Sequence, residues 1–95
     1  MNLFSVRTQS RFESLAQAHR KHHREFDASL QRALAILRED PLNLSGSHQI
    51  KKLTDVARGD GRYRLRLGRW RFRYDIYGQE VVLTYCDLRR EDTYR

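Results

Sequence analysis

Ninety-five residues with five Gly and one Pro describe one compact domain, 1–95, with room for a single modest core and not for two. Nineteen Lys and Arg against twelve Asp and Glu give a formal net charge of +7, which favours a polyanionic partner such as nucleic acid, or an acidic protein, and carries no information about fold. One cysteine excludes an internal disulfide, and no stretch approaches the roughly 20 apolar residues needed to cross a bilayer, so no membrane association is expected.

Met1 to Val6 is too short for the apolar region of a secretory signal, and a cytoplasmic location is expected. Within Asn2 to Arg7 the run Leu3-Phe4-Ser5-Val6 predicts an edge strand. Thr8 and Ser10 are both candidate N-caps, and Ser10-Arg11-Phe12-Glu13 fits a capping box. Phe12, Leu15, Ala16 and His19 then recur at helical spacing, and a second series runs Phe26, Leu30, Ala33, Leu34, Leu37. Two helices packed as a hairpin, broken within Arg20 to Arg24, fit this pattern. One continuous bent helix is the alternative, because no Gly or Pro forces a turn there. His19, His22 and His23 have helical i, i+3, i+4 spacing, but no Cys or carboxylate completes a ligand set, and a basic exposed helix junction accounts for them; no metal and no cofactor are expected. Pro41 ends the second helix, since the residue before a proline is pushed out of helical geometry.

Leu42 to Gly61 is a long connection with three Gly around one short apolar element, Ile50-Lys51-Lys52-Leu53. Loops of this length in compact domains are more often functional than idle. From Arg62 to Ile76 charge and apolar bulk alternate without a break and turn over at Gly68. Successive strand side chains leave opposite faces, so Arg62, Arg64 and Arg66, then Arg69, Arg71 and Arg73, take one side. Tyr63, Leu65 and Leu67, then Trp70, Phe72, Tyr74 and Ile76, take the other. A two-residue II′ loop at Gly68-Arg69 places Leu67 opposite Trp70, Leu65 opposite Phe72 and Tyr63 opposite Tyr74. It also sets Arg66 against Arg71 and Arg64 against Arg73. Like charges across a ladder are destabilising and a buried unpaired guanidinium is far worse, so the arginine face must meet water or an anion. A merely solvated face would interleave acids, yet Asp75 is the one acid of that parity in the two strands. Clustered arginines on a rigid surface are an electrostatic footprint for phosphate.

Gly78-Gln79 predicts a second tight turn, and Glu80 to Asp87 a further strand. That register puts Val81, Leu83 and Tyr85 on the core side and Val82, Thr84 and Cys86 beside the arginines. Cys86 reads as a small strand residue rather than a nucleophile, with no paired His evident. The tail is Arg89-Arg90-Glu91-Asp92-Thr93-Tyr94-Arg95. The resulting order is strand, two helices, three-stranded meander: an α+β fold with a helix hairpin on one face of an antiparallel sheet and the arginine face uncovered.

A β-α-α-β-β-β chain with a Pro-terminated second helix, the Ile50 to Leu53 element, Tyr63-Arg-Leu-Arg-Leu-Gly68, Trp70-Arg-Phe-Arg-Tyr74 and the Arg89 to Arg95 tail resembles the RelE/ParE superfamily of type II toxin-antitoxin toxins. The likeness spans nearly the whole chain and is most specific from Ile50 onward. It implies either a RelE-like endoribonuclease that cuts mRNA in the ribosomal A site, or a ParE-like inhibitor of DNA gyrase. Matched position by position to the nuclease branch, Arg64 and Arg66 are its basic pair, Arg71 its central arginine and Tyr94 its C-terminal tyrosine. Arg90, with Arg89 second, matches its last arginine. The resemblance also implies an acidic, helical antitoxin as partner, the ribosome and mRNA as targets, and contact with operator DNA through the antitoxin complex.

RNA cleavage by internal attack needs the 2′-hydroxyl deprotonated, the pentacoordinate phosphate neutralised and the 5′-oxygen protonated, with no metal strictly required. The planar fork of arginine suits the middle task, and losing one preorganised donor typically costs about 3 kcal/mol of barrier. Arg66, Arg71 and Arg64 are the candidates for that clamp, flanked by Arg62, Arg69, Arg73 and Arg89. Lys51 and Lys52 are candidates for contact with RNA backbone. Tyr94 is a candidate to stack on a splayed base, or else a residue that pins the tail. A guanidinium is effectively never deprotonated, so the general base must come from elsewhere. His48, Glu91 and Asp87 are the candidates; without one, rate enhancement rests on charge stabilisation and orientation. A ParE-like gyrase inhibitor and a non-catalytic nucleic-acid-binding module remain the alternatives.

Overall fold

The computed structural model describes residues 3–89. In chain order it contains β1 (Ser5–Thr8), α1 (Ser10–His22), α2 (Phe26–Glu39), β2 (Gln49–Lys52), β3 (Tyr63–Leu67), β4 (Trp70–Tyr77) and β5 (Glu80–Leu88). The strands form one sheet in the order β1-β5-β4-β3-β2. The α+β arrangement with both helices on one face is the expected one. The sheet carries a fifth strand, because the Ile50 element pairs antiparallel with β3 as β2, and it is mixed, because β1 runs parallel to β5. Among the described residues no helix is long and apolar enough to cross a membrane.

Alternation along β3 and β4 builds the core. Leu65, Phe72 and Tyr74 are fully buried and pack with Phe12 and Ala16 of α1 and with Phe26, Ala33 and Leu37 of α2. Trp70, 2 % exposed, meets the rings of Phe26, His19 and His23 edge-on with centroids 5.0, 5.0 and 5.3 Å away. Those two histidines therefore serve packing at the helix junction, and His19 Nε2 lies 3.3 Å from the Cys86 carbonyl. Tyr74 donates its hydroxyl to the Pro41 carbonyl at 2.7 Å, which ties the end of α2 to the sheet. Leu53 closes the β2 side through its N–H to the Arg62 carbonyl at 2.6 Å.

The helix boundaries differ from expectation in detail. The break between α1 and α2 falls at His23 to Glu25, at the edge of the Arg20 to Arg24 window. The capping box does not form, because Gln9 is the N-cap of α1 and makes no side-chain cap bond. Ser10 is already the first helical residue, and the Glu13 carboxylate instead accepts from the Thr8 hydroxyl. α2 ends at Glu39, as Pro41 requires.

The β3–β4 pairing follows the predicted register in full, with Leu67 opposite Trp70, Arg66 opposite Arg71 and Arg64 opposite Arg73. Gly68 has φ +59° while Arg69 does not enter the left-handed region, which is the II′ geometry. The β4–β5 hairpin begins as expected, with Tyr77 opposite Glu80 and Tyr74 opposite Leu83. One residue later it departs. Tyr85 pairs with Arg73, so Thr84 is an extra residue in β5, a β-bulge. The bulge reverses the predicted facing of the rest of the strand. Cys86 turns into the core opposite Phe72, and Tyr85 and Asp87 turn to the arginine face opposite Arg73 and Arg71.

A second departure is that the far end of the arginine face is covered. Asp75, 1 % exposed, accepts from the backbone N–H groups of Gly59 (3.1 Å), Gly61 (2.9 Å) and Arg62 (3.0 Å). The connection before β3 is thereby folded down against Thr84, which is buried. Gly61 has φ +81°, and a Cβ there would stand 2.5 Å from Thr84 Oγ1 and 2.9 Å from Arg73 Cβ, so the loop could not approach so closely with any other residue. Replacing Asp75 with Ala leaves those backbone donors without an acceptor. Asp75→Ala is expected to lower the unfolding free energy by about 3 kcal/mol in urea titration, with hydrogen exchange at Gly59, Gly61 and Arg62 accelerated ahead of the rest of the sheet.

Candidate functional site

Paired strands bring the arginines together, and their partners then separate them into two groups. Arg73 donates through Nε to the Gly61 carbonyl (3.1 Å) and through Nη2 to the Asp60 carbonyl (2.8 Å). Arg62 donates to the Val56 carbonyl at 3.1 Å. Both guanidiniums are thus fastened to the loop that Asp75 holds down. Arg69, expected on the same face, sits in the exposed turn and pairs with Glu25 at the helix junction (3.5 Å). The turn itself frees Arg69 from strand alternation.

Arg64, Arg66, Arg71 and Arg89 line one cavity on the open part of the face. Arg64 and Arg66 come from β3 and Arg71 from β4. Arg89 follows β5, where its N–H donates to the Arg69 carbonyl at 2.7 Å and extends the ladder. Arg71 is clamped by Asp87, with Nε to Oδ1 at 2.9 Å and Nη2 to Oδ2 at 2.6 Å. This two-pronged pair fixes the plane of the guanidinium, and it exists because the Thr84 bulge moved Asp87 onto this face. Among the described residues, the Nε groups of Arg64 and Arg66 are buried and have no hydrogen-bond partner. Buried donors are paired in the great majority of cases, so two such exceptions lining one cationic cavity are candidates to donate to an anion's oxygens.

A second cavity adjoins the first and shares Arg64 and Arg71 as walls. Its outer side is made by Tyr85 and by Arg11 of α1, whose guanidinium carbon lies 4.9 Å from the Tyr85 ring centroid. Sequence reading missed both residues at this site. Tyr85 was displaced by the bulge, and Arg11 reaches the face from a different element, which strand periodicity cannot signal. Cys86, now in the core, is no nucleophile: burial, with the Asp87 and Glu13 charges adding to it, pushes its thiol up to about 12.

The remaining candidates divide as follows. Lys51 pairs with Arg64 and so shares the arginine face, whereas Lys52 pairs with Tyr63 and lies toward that ring, 5.9 Å from its centroid. His48 is turned toward Asp40, with Nε2 3.9 Å from Oδ2. Asp40 itself holds its carboxyl below the usual range, chiefly through the Ser45 hydroxyl, and organises the loop after α2. Asp87 has both carboxylate oxygens engaged by Arg71. Arg90, Glu91 and Tyr94 lie outside the described residues.

The fold is similar to that of a chain in the crystal structure of an archaeal RelE–RelB complex from Pyrococcus horikoshii OT3, with a TM-score of 0.65 and 20 % sequence identity. The match covers 96 % of this chain and 99 % of that one, so the likeness is to a whole RelE-like fold rather than to a shared fragment. No protein-family model and no curated protein matches the sequence.

The two groups of arginines have opposite consequences for stability. Arg64→Gln or Arg66→Gln removes a charge that faces another arginine and a donor that has no acceptor among the described residues. Each is expected to leave the unfolding free energy unchanged or raise it by about 0.5 kcal/mol at low salt. Arg73→Gln releases two loop carbonyls and is expected to lower it by about 1–2 kcal/mol. Urea denaturation of the three variants at low and high salt checks the contrast. The core thiol supplies a further check: Cys86 is expected to resist a soluble disulfide reagent at pH 8 until denaturant unfolds the chain, with labelling following the unfolding transition.

Proposed function

We propose that this protein is the toxin of a type II toxin-antitoxin pair, an endoribonuclease that cuts mRNA on the ribosome without a metal. The observation that carries the reading is the cavity of Arg64, Arg66, Arg71 and Arg89, in which two buried guanidinium Nε donors stand without acceptors among the described residues. Donors fixed in a part-buried site before the substrate arrives stabilise developing charge without reorganising. The RelE-like fold supports the same reading, and the similar chain comes from a complex with RelB. On that ground an acidic antitoxin is proposed as this protein's partner, drawn to the net charge of +7.

In this mechanism Arg64 and Arg66 bind the two non-bridging oxygens of the scissile phosphate, and Arg71, held in plane by Asp87, takes charge that builds up in the pentacoordinate state. The 2′-hydroxyl attacks in line, its proton passing to water, and the P–O5′ bond breaks to leave a 2′,3′-cyclic phosphate and a 5′-oxygen that takes a proton from water. Rate enhancement comes chiefly from charge stabilisation and from holding the attacking and leaving oxygens in line. Asp87 is already committed to Arg71, and His48 faces Asp40, so neither is assigned the proton. Arg90 and Tyr94 join the proposed site on the family resemblance alone. Lys51, level with Arg64 on the same face, extends the positive track along β2 for RNA backbone.

Induction of the wild-type chain followed by primer extension on translated messages tests the reading. Cuts in phase with codons are expected. Arg66→Gln is expected to reduce cutting about a hundredfold or more while the thermal midpoint holds. It is a cleaner probe than Arg71→Ala, which also strands the Asp87 carboxylate. Double-strand DNA breaks without RNA cuts would instead identify a ParE-like gyrase inhibitor, and neither outcome would leave a nucleic-acid-binding module.

A further inference from the structure

Beside the four-arginine cavity lies the second one, bounded by Arg11, Leu53, Arg64, Tyr85 and Asp87 among others. We infer that it is a nucleobase subsite, in which an unpaired base stacks on the Tyr85 and Arg11 platform while its phosphate is held next door by Arg64 and Arg66. This inference rests on the RNA reading above and names a feature of substrate recognition which that reading does not require.

Three observations carry it. Tyr85 is half-buried on a face whose cavity walls are mostly charged side chains, and it reaches that face through the extra residue in β5 rather than through alternation. An aromatic ring placed there adds little to the core, which lies on the opposite side of the sheet. Arg11 is exposed, and its guanidinium stands over the Tyr85 ring at 4.9 Å. Among the described residues it makes no hydrogen bond or ion pair, so its cation is not committed to an acid. Ring faces and guanidinium planes are the two surfaces on which proteins stack unpaired bases. Finally, Arg64 and Arg71 line both cavities, so a base and its neighbouring phosphate can be held at once by one continuous surface. An acidic peptide would need the cations but would gain nothing specific from the ring.

The subsite makes a prediction separable from cleavage. A 2′-O-methyl RNA decamer cannot be cut by internal attack, and a base-free 2′-O-methyl ribose-phosphate decamer carries the same charge without stacking surfaces. Fluorescence anisotropy with purified wild-type protein is expected to show about tenfold tighter binding of the base-bearing decamer. Tyr85→Leu, which keeps apolar bulk without an aromatic face, is expected to reduce that preference below about threefold. Tyr85→Phe is expected to retain it, and Arg11→Gln, an exposed change that leaves the core intact, to weaken it. No preference in the wild type, or a full tenfold preference in Tyr85→Leu, would overturn the subsite. So would an equal loss of affinity for both oligomers in Tyr85→Leu, which would assign Tyr85 to backbone or protein contacts. Codon-phased cutting alongside any of those results would leave the nuclease reading standing. A Tyr85-dependent base preference without cutting would sink the nuclease and keep the subsite.

Discussion

Arg64 stands opposite Arg73 and Arg66 opposite Arg71 across one ladder, and the rest of this face is organised around the repulsion that results. A sheet cannot rotate such side chains apart, because alternation and the Gly68 turn fix where each one points. Each guanidinium must find an acceptor or remain a cost to stability. Arg73 finds loop carbonyls and Arg71 finds the Asp87 carboxylate. Among the described residues Arg64 and Arg66 keep unpartnered Nε donors, and the phosphate oxygens proposed above would answer both at once.

Two local devices make that division possible. Asp75 gathers three backbone N–H groups and lays the loop over the far end of the arginine face. This fastens Arg62 and Arg73 to the loop, while Arg73 also lines the second cavity. The single extra residue at Thr84 then re-aims the end of β5. Without it Cys86 would sit beside the arginines and Tyr85 in the core; with it the face gains an acid that orients Arg71 and a ring beside the cavity. Bulges commonly re-aim side chains next to functional surfaces. The fold contributes rigidity, and these two irregularities contribute the chemistry.

The regular parts were legible in the sequence for physical reasons. A two-residue turn with Gly first leaves one register for the flanking strands, so every β3–β4 pair from Leu67 and Trp70 outward could be read off, and helical spacing marked Phe12, Ala16, Phe26, Ala33 and Leu37 as core. What could not be read was whatever breaks periodicity or joins distant elements. Thr84 is β-branched like any good strand residue, so the bulge leaves no mark in composition. β2 spans four residues of which Ile50 alone is apolar, so the Ile50 element could be marked in the long connection but not assigned to the sheet until β3 pairs with it. Arg11 meets Tyr85 across 74 positions of chain, and no spacing rule links them. One irregularity did leave a trace. Asp75 is the one acid of its parity in β3 and β4, with Gly59 and Gly61 upstream; in the sequence that isolation reads as a basic face for phosphate, and its commitment to three backbone N–H groups emerges only in the fold.

Arg64 and Arg66 are proposed to hold their Nε donors ready for phosphate oxygens. Nitrogen-15 NMR of the arginine Nε–H groups, during titration with a 2′-O-methyl RNA trinucleotide, tests that role most directly. The Arg64 and Arg66 signals are expected to shift together and exchange more slowly with water as RNA binds, while Arg73 Nε, already bonded to Gly61, stays in place. Saturable RNA binding that leaves the Arg64 and Arg66 signals unmoved would contradict the account.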